Sequence, residues 1–268
     1  MDDLSKAYDN GANIPDADGF RARWPVSATA FRDRMLAEGR ARLDLPYGQG
    51  DRCRYDLFLP SATSAGLAVF MHGGYWKSLD RTIWSHLAAG TVARGWACAL
   101  PSYTLAPAAR IAEITRETAA AITAASNEIG GPIIVACHSA GGHLSARMRC
   151  LDVSLDAGVE ARLARIVPIS PLSDLHPLMR TGMNAELGID SREAESESPA
   201  LATELRPVET RIWVGGSELP AFLEQSRLLA RAWPDAKLTV EEGKHHFDVV
   251  ESLEMADGAL TEALLGGL

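Results

Sequence analysis

The stretch Ile133-Ile134-Val135-Ala136-Cys137-His138-Ser139-Ala140-Gly141-Gly142 decides how this chain is read. An apolar, β-branched run enters a serine flanked by small residues, and a helix-forming segment follows. A strand that turns sharply into a helix crowds the positions two before and two after the turn residue. Small side chains are required there, and the serine hydroxyl is left above the sheet at a helix N-terminus, where the dipole favours developing negative charge. Gly141 meets that demand, and Cys137 stands where the G-x-S-x-G pattern has its first glycine. Ser139 is therefore the candidate nucleophile, against the plainer role of a helix cap.

Working outward, the apolar run at 67–71 leads into His72-Gly73-Gly74-Tyr75-Trp76. Glycines in such a turn let backbone N–H groups approach a carbonyl oxygen and join the N–H of the residue after the nucleophile. Gly74, Tyr75 and Ala140 are the expected oxyanion donors, each worth about 2.7–4 kcal/mol of barrier. His72, Gly73, Trp76 and His138 are assigned to the substrate pocket. Within it His72 steadies the turn by hydrogen bonding, and His138 packs the elbow, pointing away from Ser139. Tyr75 and Trp76 would supply an aromatic wall.

A nucleophile of this kind needs a base on a loop after the last strand and an orienting acid after the strand before it. His245 and His246, behind the run at 237–240, both satisfy the first condition. Glu218, in Gly215-Gly216-Ser217-Glu218 behind the run at 212–214, satisfies the second, ahead of Asp248 and Asp174. Asp174 reads better as a cap for the segment after it.

These runs belong to a regular alternation. Strands are predicted at 55–59, 67–71, 97–100, 133–136, 166–169, 212–214 and 237–240, and helices at 83–94, 111–129, 142–150, 221–233 and 249–265. That is the rhythm of an α/β fold, a mostly parallel sheet with helices on both faces. Gly95 and Gly130-Gly131-Pro132 read as helix stops. One domain is expected over 1–268, with 1–50 a helical extension packed on it through Trp24, Phe31 and Met35. The acid-rich segment 184–205 is expected to be either an exposed loop or a cap over the site.

With Lys+Arg 26 against Asp+Glu 35, the net charge of −9 excludes a basic nucleic-acid binder. At 47% hydrophobic and 23% charged, the composition is that of a folded domain and not a disordered chain. No stretch approaches the roughly 18 apolar residues of a membrane span, and the start Met1-Asp2-Asp3 is not that of a secretory signal, so a cytoplasmic address is expected. Cys53, Cys98, Cys137 and Cys150 are too dispersed for a metal or disulfide framework and are expected as reduced, mostly buried thiols. Without metal-ligand spacing, a P-loop or a dinucleotide fingerprint, the expected reaction uses no cofactor and no metal. The expected partner is a small-molecule substrate, with neither nucleic acid nor membrane, and a homodimer is left open.

Taken together, H-G-G-Y-W at 72–76, H-S-A-G-G-H-L at 138–144, S-P-L-S-D-L at 170–175 and H-H-F-D-V-V at 245–250 resemble the kynurenine formamidase (arylformamidase) branch of the α/β-hydrolase superfamily, over roughly residues 20–255. Leu105-Ala106-Pro107 is also similar to the hormone-sensitive-lipase-like esterases. The resemblance implies an α/β-hydrolase fold and a Ser-acid-His triad cleaving the formyl amide of N-formylkynurenine. It implies Glu218 as the acid, ahead of Pro220-Ala221-Phe222, and selects His246 over His245 because His246 directly precedes Phe247-Asp248. The chain departs from the branch at Cys137 and at Glu218, where vertebrate-like members usually carry Asp. A general carboxylesterase and a catalytically silent ligand-binding module are the alternative expectations.

Overall fold

A computed structural model describes residues 3–268, so Met1 and Asp2 of the expected extension lie outside the described residues. Among the described residues the strands are β1 (Ala41–Pro46), β2 (Arg54–Phe58), β3 (Leu67–Val69), β4 (Ala97–Pro101), β5 (Ile133–His138), β6 (Leu163–Ile169), β7 (Glu209–Gly215) and β8 (Lys237–Glu241). They form one sheet in the order β1-β2-β4-β3-β5-β6-β7-β8. The β1–β2 and β2–β4 pairs are antiparallel, and every pair from β4 onward is parallel. β3, β4 and β5 are buried throughout, as strands covered on both faces must be. All four cysteines are buried and unpaired.

The segment 41–46 differs from the expected helical extension: it is an edge strand of the sheet. Its side chains alternate between half-buried and exposed, but a bulge at Asp44, with φ 59°, interrupts the pairing with β2. Buried Asp56 on β2 secures this edge. It accepts from the Asp44 N–H (2.9 Å) and from Arg81 (3.2 Å), and pairs with Arg32. Upstream, the helix Ala17–Ala37 buries Trp24, Ala28, Phe31 and Met35 at helical spacing. Trp24 meets Trp84 at 4.6 Å and Phe31 meets Phe58 at 5.0 Å between ring centres.

Two expected helices are broken. Over 83–94 the chain makes short 3-10 turns, Arg81–Ile83 and Ser85–Ala88, before the helix Ala89–Ala93. Over 249–265 a 3-10 turn, Glu251–Glu254, precedes the helix Ala259–Leu265. The second break falls at Gly258, where a Cβ would lie 1.8 Å from the Ser252 carbonyl oxygen. The chain crosses itself there too closely for a continuous helix.

The segment 184–205 is neither an exposed acidic loop nor a cap. It forms the helices Asn184–Leu187, which packs on the 3-10 turn His176–Arg180, and Ser191–Glu197, which packs on the flank of the helix Ile111–Glu128. Glu193 and Glu197 are buried. Glu193 pairs with Arg110 (2.7 Å); Glu197 pairs with Arg147 (3.1 Å) and accepts from Thr115 (2.7 Å). Among the described residues, no helix is long and apolar enough to cross a membrane.

Candidate active site

At the C-terminal end of β5 the backbone turns at Ser139 with φ 60° and ψ −119°, a conformation that costs of order 1–3 kcal/mol for a non-glycine residue. Neighbouring chain holds it in place: Ser139 N–H donates to the Ile169 carbonyl (2.8 Å) and His138 N–H to the Met71 carbonyl (3.1 Å). The helix Ala140–Arg147 leaves directly from this turn. It can pass only because a Cβ on Gly141 would stand 2.3 Å from the Met71 oxygen, and one on Gly142 2.6 Å from the Ile169 oxygen. Cys137 is tolerated because its side chain lies in the apolar core. Burial raises that thiol to about 12, so it is no competing nucleophile.

The structure brings Ser139, His246 and Glu218 together, from loops behind β5, β8 and β7. Ser139 Oγ is 2.9 Å from His246 Nε2, and His246 Nδ1 is 2.6 Å from Glu218 Oε2. The pattern fits one tautomer, with Nδ1–H donating to the carboxylate and Nε2 accepting the serine proton. All three side chains are buried. The second carboxylate oxygen of Glu218 accepts from the Gly215 N–H (2.9 Å) and from the Ser170 hydroxyl. Ser170, directly after β6 with φ 48°, carries no motif of its own that marks it as part of the site. It opens the S-P-L-S-D-L stretch, and only the fold puts it opposite Glu218. His245 is not part of this chain of bonds; its backbone N–H donates to Asp248 Oδ1 (2.6 Å) and its Nδ1 accepts from the Phe247 N–H (3.2 Å). Asp174 accepts from the His176 N–H (2.9 Å) at the start of the 3-10 turn His176–Arg180, whose cap residue is Leu175.

Behind β3 the residues Gly74, Tyr75 and Trp76 all take positive φ, 100°, 50° and 54°. Successive left-handed residues curl the backbone so that its N–H groups converge. Among the described residues, no carbonyl or side chain accepts from the N–H groups of Gly74, Tyr75 or Ala140. Gly73 lies closest to the serine: a Cβ there would be 2.7 Å from Ser139 Cβ and 3.2 Å from its Oγ.

These groups open onto a cavity of about 680 Å³, also lined by Gly73, Gly74, Tyr75 and His138. That volume suits a small organic ligand. Two expected pocket residues lie elsewhere. Trp76 is fully buried and meets His143 edge-on at 5.0 Å, because its positive φ turns the side chain into the core. His72 is buried below the turn, stacked on Tyr103 at 4.7 Å, with Nδ1 2.8 Å from the Gly73 oxygen. Burial lowers its pKa to about 4, so it is neutral. His138 does not point away from the site: it lines the cavity, with its ring 4.6 Å from that of His246. Burial, and then the neighbouring His246 imidazole, hold His138 well below the ordinary histidine range.

The aromatic wall comes from Trp24, Trp84 and Phe247 besides Tyr75. The amino-terminal segment closes the cavity's outer side with Ser5, Tyr8, Asp9 and Asn10. Several bonds fasten this strap: Leu4 N–H to the Arg180 carbonyl (3.0 Å), Gly182 N–H to Ser5 Oγ (2.8 Å), Tyr75 O–H to the Tyr8 carbonyl (2.6 Å) and Gln225 to the Tyr8 hydroxyl (3.0 Å). No pattern in the first fifteen residues announces this role.

A family model described as the alpha/beta hydrolase fold matches residues 68–205. The kynurenine formamidase of Salmo salar is 28% identical over 250 residues, covering 87% of this chain and 83% of that protein. The kynurenine formamidase of Drosophila melanogaster is 28% identical over 265 residues, covering 89% and 86%. Among solved structures, a protein from Silicibacter sp. TM1040, described as a proposed thioesterase, has a TM-score of 0.94 at 49% identity, covering 97% of this chain and 98% of its own. Esterase B of Lactobacillus rhamnosis, at 15% identity and a TM-score of 0.68 over 93% of both chains, shares the fold. The sheet, the turn at its centre and the matched span agree: the chain belongs to the α/β-hydrolase fold family and is a hydrolase.

Proposed function

We propose that this hydrolase works by serine acyl-enzyme chemistry and that its substrate is an aryl formamide, N-formylkynurenine foremost. The observation that carries the proposal is the unbroken line of hydrogen bonds from Ser139 through His246 to Glu218, facing an aromatic-walled cavity beside free backbone N–H groups. Ser139 Oγ attacks the formyl carbon while His246 Nε2 takes its proton and Glu218 steadies the imidazolium. The carbonyl oxygen, now an oxyanion, is met by the N–H groups of Gly74, Tyr75 and Ala140. Collapse breaks the C–N bond, His246 protonates the departing arylamine, and a formyl-serine ester is left. Water, deprotonated by His246, then cleaves that ester to formate and restores the serine.

The walls of Trp24, Trp84 and Phe247 favour a flat aromatic leaving group. The relatives named kynurenine formamidase support this reading, which the resemblance in the sequence also implies. A second reading, cleavage of small carboxyl esters or thioesters by the same residues, draws on the 49% identical relative described as a proposed thioesterase.

The test is kcat/KM for N-formylkynurenine, a nitrophenyl acetate and acetyl-coenzyme A, on wild type and Ser139→Ala. The proposal expects the formamide to be the best substrate and its turnover to vanish in the variant. Turnover of only the ester or thioester, again lost in the variant, keeps the serine chemistry and replaces the substrate.

A further inference from the structure

The cavity's charged groups all come from the amino-terminal segment. Among the described lining residues, Arg21 is the one arginine or lysine and Asp9 the one carboxylate. Arg21 uses only Nη1 on a protein partner, Asp18 Oδ1 at 2.9 Å, and the Asp18 side chain is 97% exposed. An exposed pair of this kind holds its arginine weakly. The guanidinium carbon lies 5.7 Å from the centre of the Phe247 ring, the residue after His246. Nη2 runs so close to Gly11 that a Cβ there would stand 2.3 Å from it. Nε and Nη2 have no acceptor among the described residues, so part of the fork is available to a ligand.

Two unused acceptors accompany it. Asp9 spends Oδ1 on the Ala12 N–H (3.1 Å), and no described donor reaches its Oδ2. Asn10 is 6% exposed, lines the same cavity, and its Oδ1 is buried with no donor. A buried acceptor left unmet is costly unless a ligand supplies the donor.

A free guanidinium edge beside a carboxylate and an amide oxygen is complementary to a carboxylate adjacent to an ammonium. We infer that Arg21, Asp9 and Asn10 form a subsite for the zwitterionic head of an α-amino acid carried by the substrate, with Arg21 taking the carboxylate and Asp9 and Asn10 the ammonium. The inference deepens the formamidase reading and rests on it for the reacting end of the ligand. It also gives the strap a purpose: the bonds fastening Tyr8 and Ser5 hold a recognition wall opposite the nucleophile. Arg21 is then a specificity residue, with no part in the chemistry.

The experiment is calorimetric binding to the folded Ser139→Ala protein of L-kynurenine, which has the head group, and of kynuramine, which lacks only the carboxylate. L-kynurenine is expected to bind at least 10-fold more tightly than kynuramine. Adding Arg21→Gln is expected to reduce that preference roughly 10- to 100-fold, with Arg21→Lys restoring part of it, as loss of a charge-assisted fork requires. Equal binding of the two ligands, failure of L-kynurenine to bind, or an Arg21→Gln effect that weakens both alike would overturn the subsite. The outcome is independent of turnover. If the wild type discriminates between the ligands through Arg21 yet does not hydrolyse N-formylkynurenine, the subsite stands and the formamidase reading falls.

Discussion

Replacing Glu218 by glutamine separates the orienting role of this residue from its packing. The carboxylate receives three donors: His246 Nδ1–H on Oε2, and the Gly215 N–H and Ser170 hydroxyl on Oε1. A glutamine offers one acceptor oxygen and one donor NH₂. If the NH₂ faces Gly215, two buried donors oppose each other, at about 1–3 kcal/mol. If it faces His246, the oxygen keeps both Gly215 and Ser170, and only the imidazole must change, moving its proton to Nε2. The second arrangement is cheaper, so the protein folds normally with a histidine that presents N–H to Ser139 Oγ and cannot take its proton. The comparable change in a serine protease costs about 10⁴-fold, or ~5 kcal/mol of barrier at about 1.36 kcal/mol per decade. Glu218→Gln is therefore expected to lower kcat/KM by about 10³–10⁴, with an unchanged circular dichroism spectrum and little change in Tm. Initial rates on whichever substrate the wild type turns over, measured across pH 6–9, are the assay. A loss below about tenfold in a folded variant would refute the assignment of Glu218.

Gly73→Ala places a methyl 2.7 Å from Ser139 Cβ and 3.2 Å from the His138 oxygen, so the elbow must shift. The expected result is a loss of roughly 100-fold or more in kcat/KM with a modest fall in Tm, and wild-type turnover would contradict it. Acid stability gives another check. Burial lowers His143 to about 3 from an ordinary 6.5, its Nε2 bonded to the Glu197 carbonyl at 2.6 Å. Below pH 6.5 the unfolded chain gains a proton that the folded chain refuses, so stability falls as pH drops from 6.5 toward 3, by about 2 kcal/mol at pH 5. His143→Gln keeps a donor for Glu197 and should remove about 2 kcal/mol of the difference in unfolding free energy between pH 7 and pH 5; an unchanged difference rules this out. His72, at about 4, acts with the same sign.

The elbow was legible because a strand-to-helix reversal leaves few choices: Gly141 and Gly142 are dictated by carbonyls less than 3 Å from any Cβ. Glu218 and His246 could be located because each lies on the loop directly after a strand. The strand β1 was hidden although Arg42, Leu43, Asp44 and Leu45 alternate, because the run is short, half polar and bounded by Pro46, so that only its pairing with β2 marks it as a strand. The helix expected over 83–94 failed for a tertiary reason, since Trp84 turns out of helical geometry to meet Trp24, sixty residues earlier. Trp76 was misplaced because its side-chain direction follows from the positive φ of the turn, which side-chain type does not encode. The strap was illegible for a different reason: Tyr8, Asp9, Asn10 and Arg21 have no periodicity, and acquire meaning only where Gln225 and Tyr75 fasten that segment over the cavity.

The central claim is that Ser139 is an activated nucleophile. It is tested most directly by intact-protein and peptide mass spectrometry after exposure to a fluorophosphonate. One adduct is expected, mapped to Ser139, absent in Ser139→Ala and strongly slowed in Glu218→Gln. A folded wild-type protein that stays unlabelled, or carries the adduct on another residue, would contradict it.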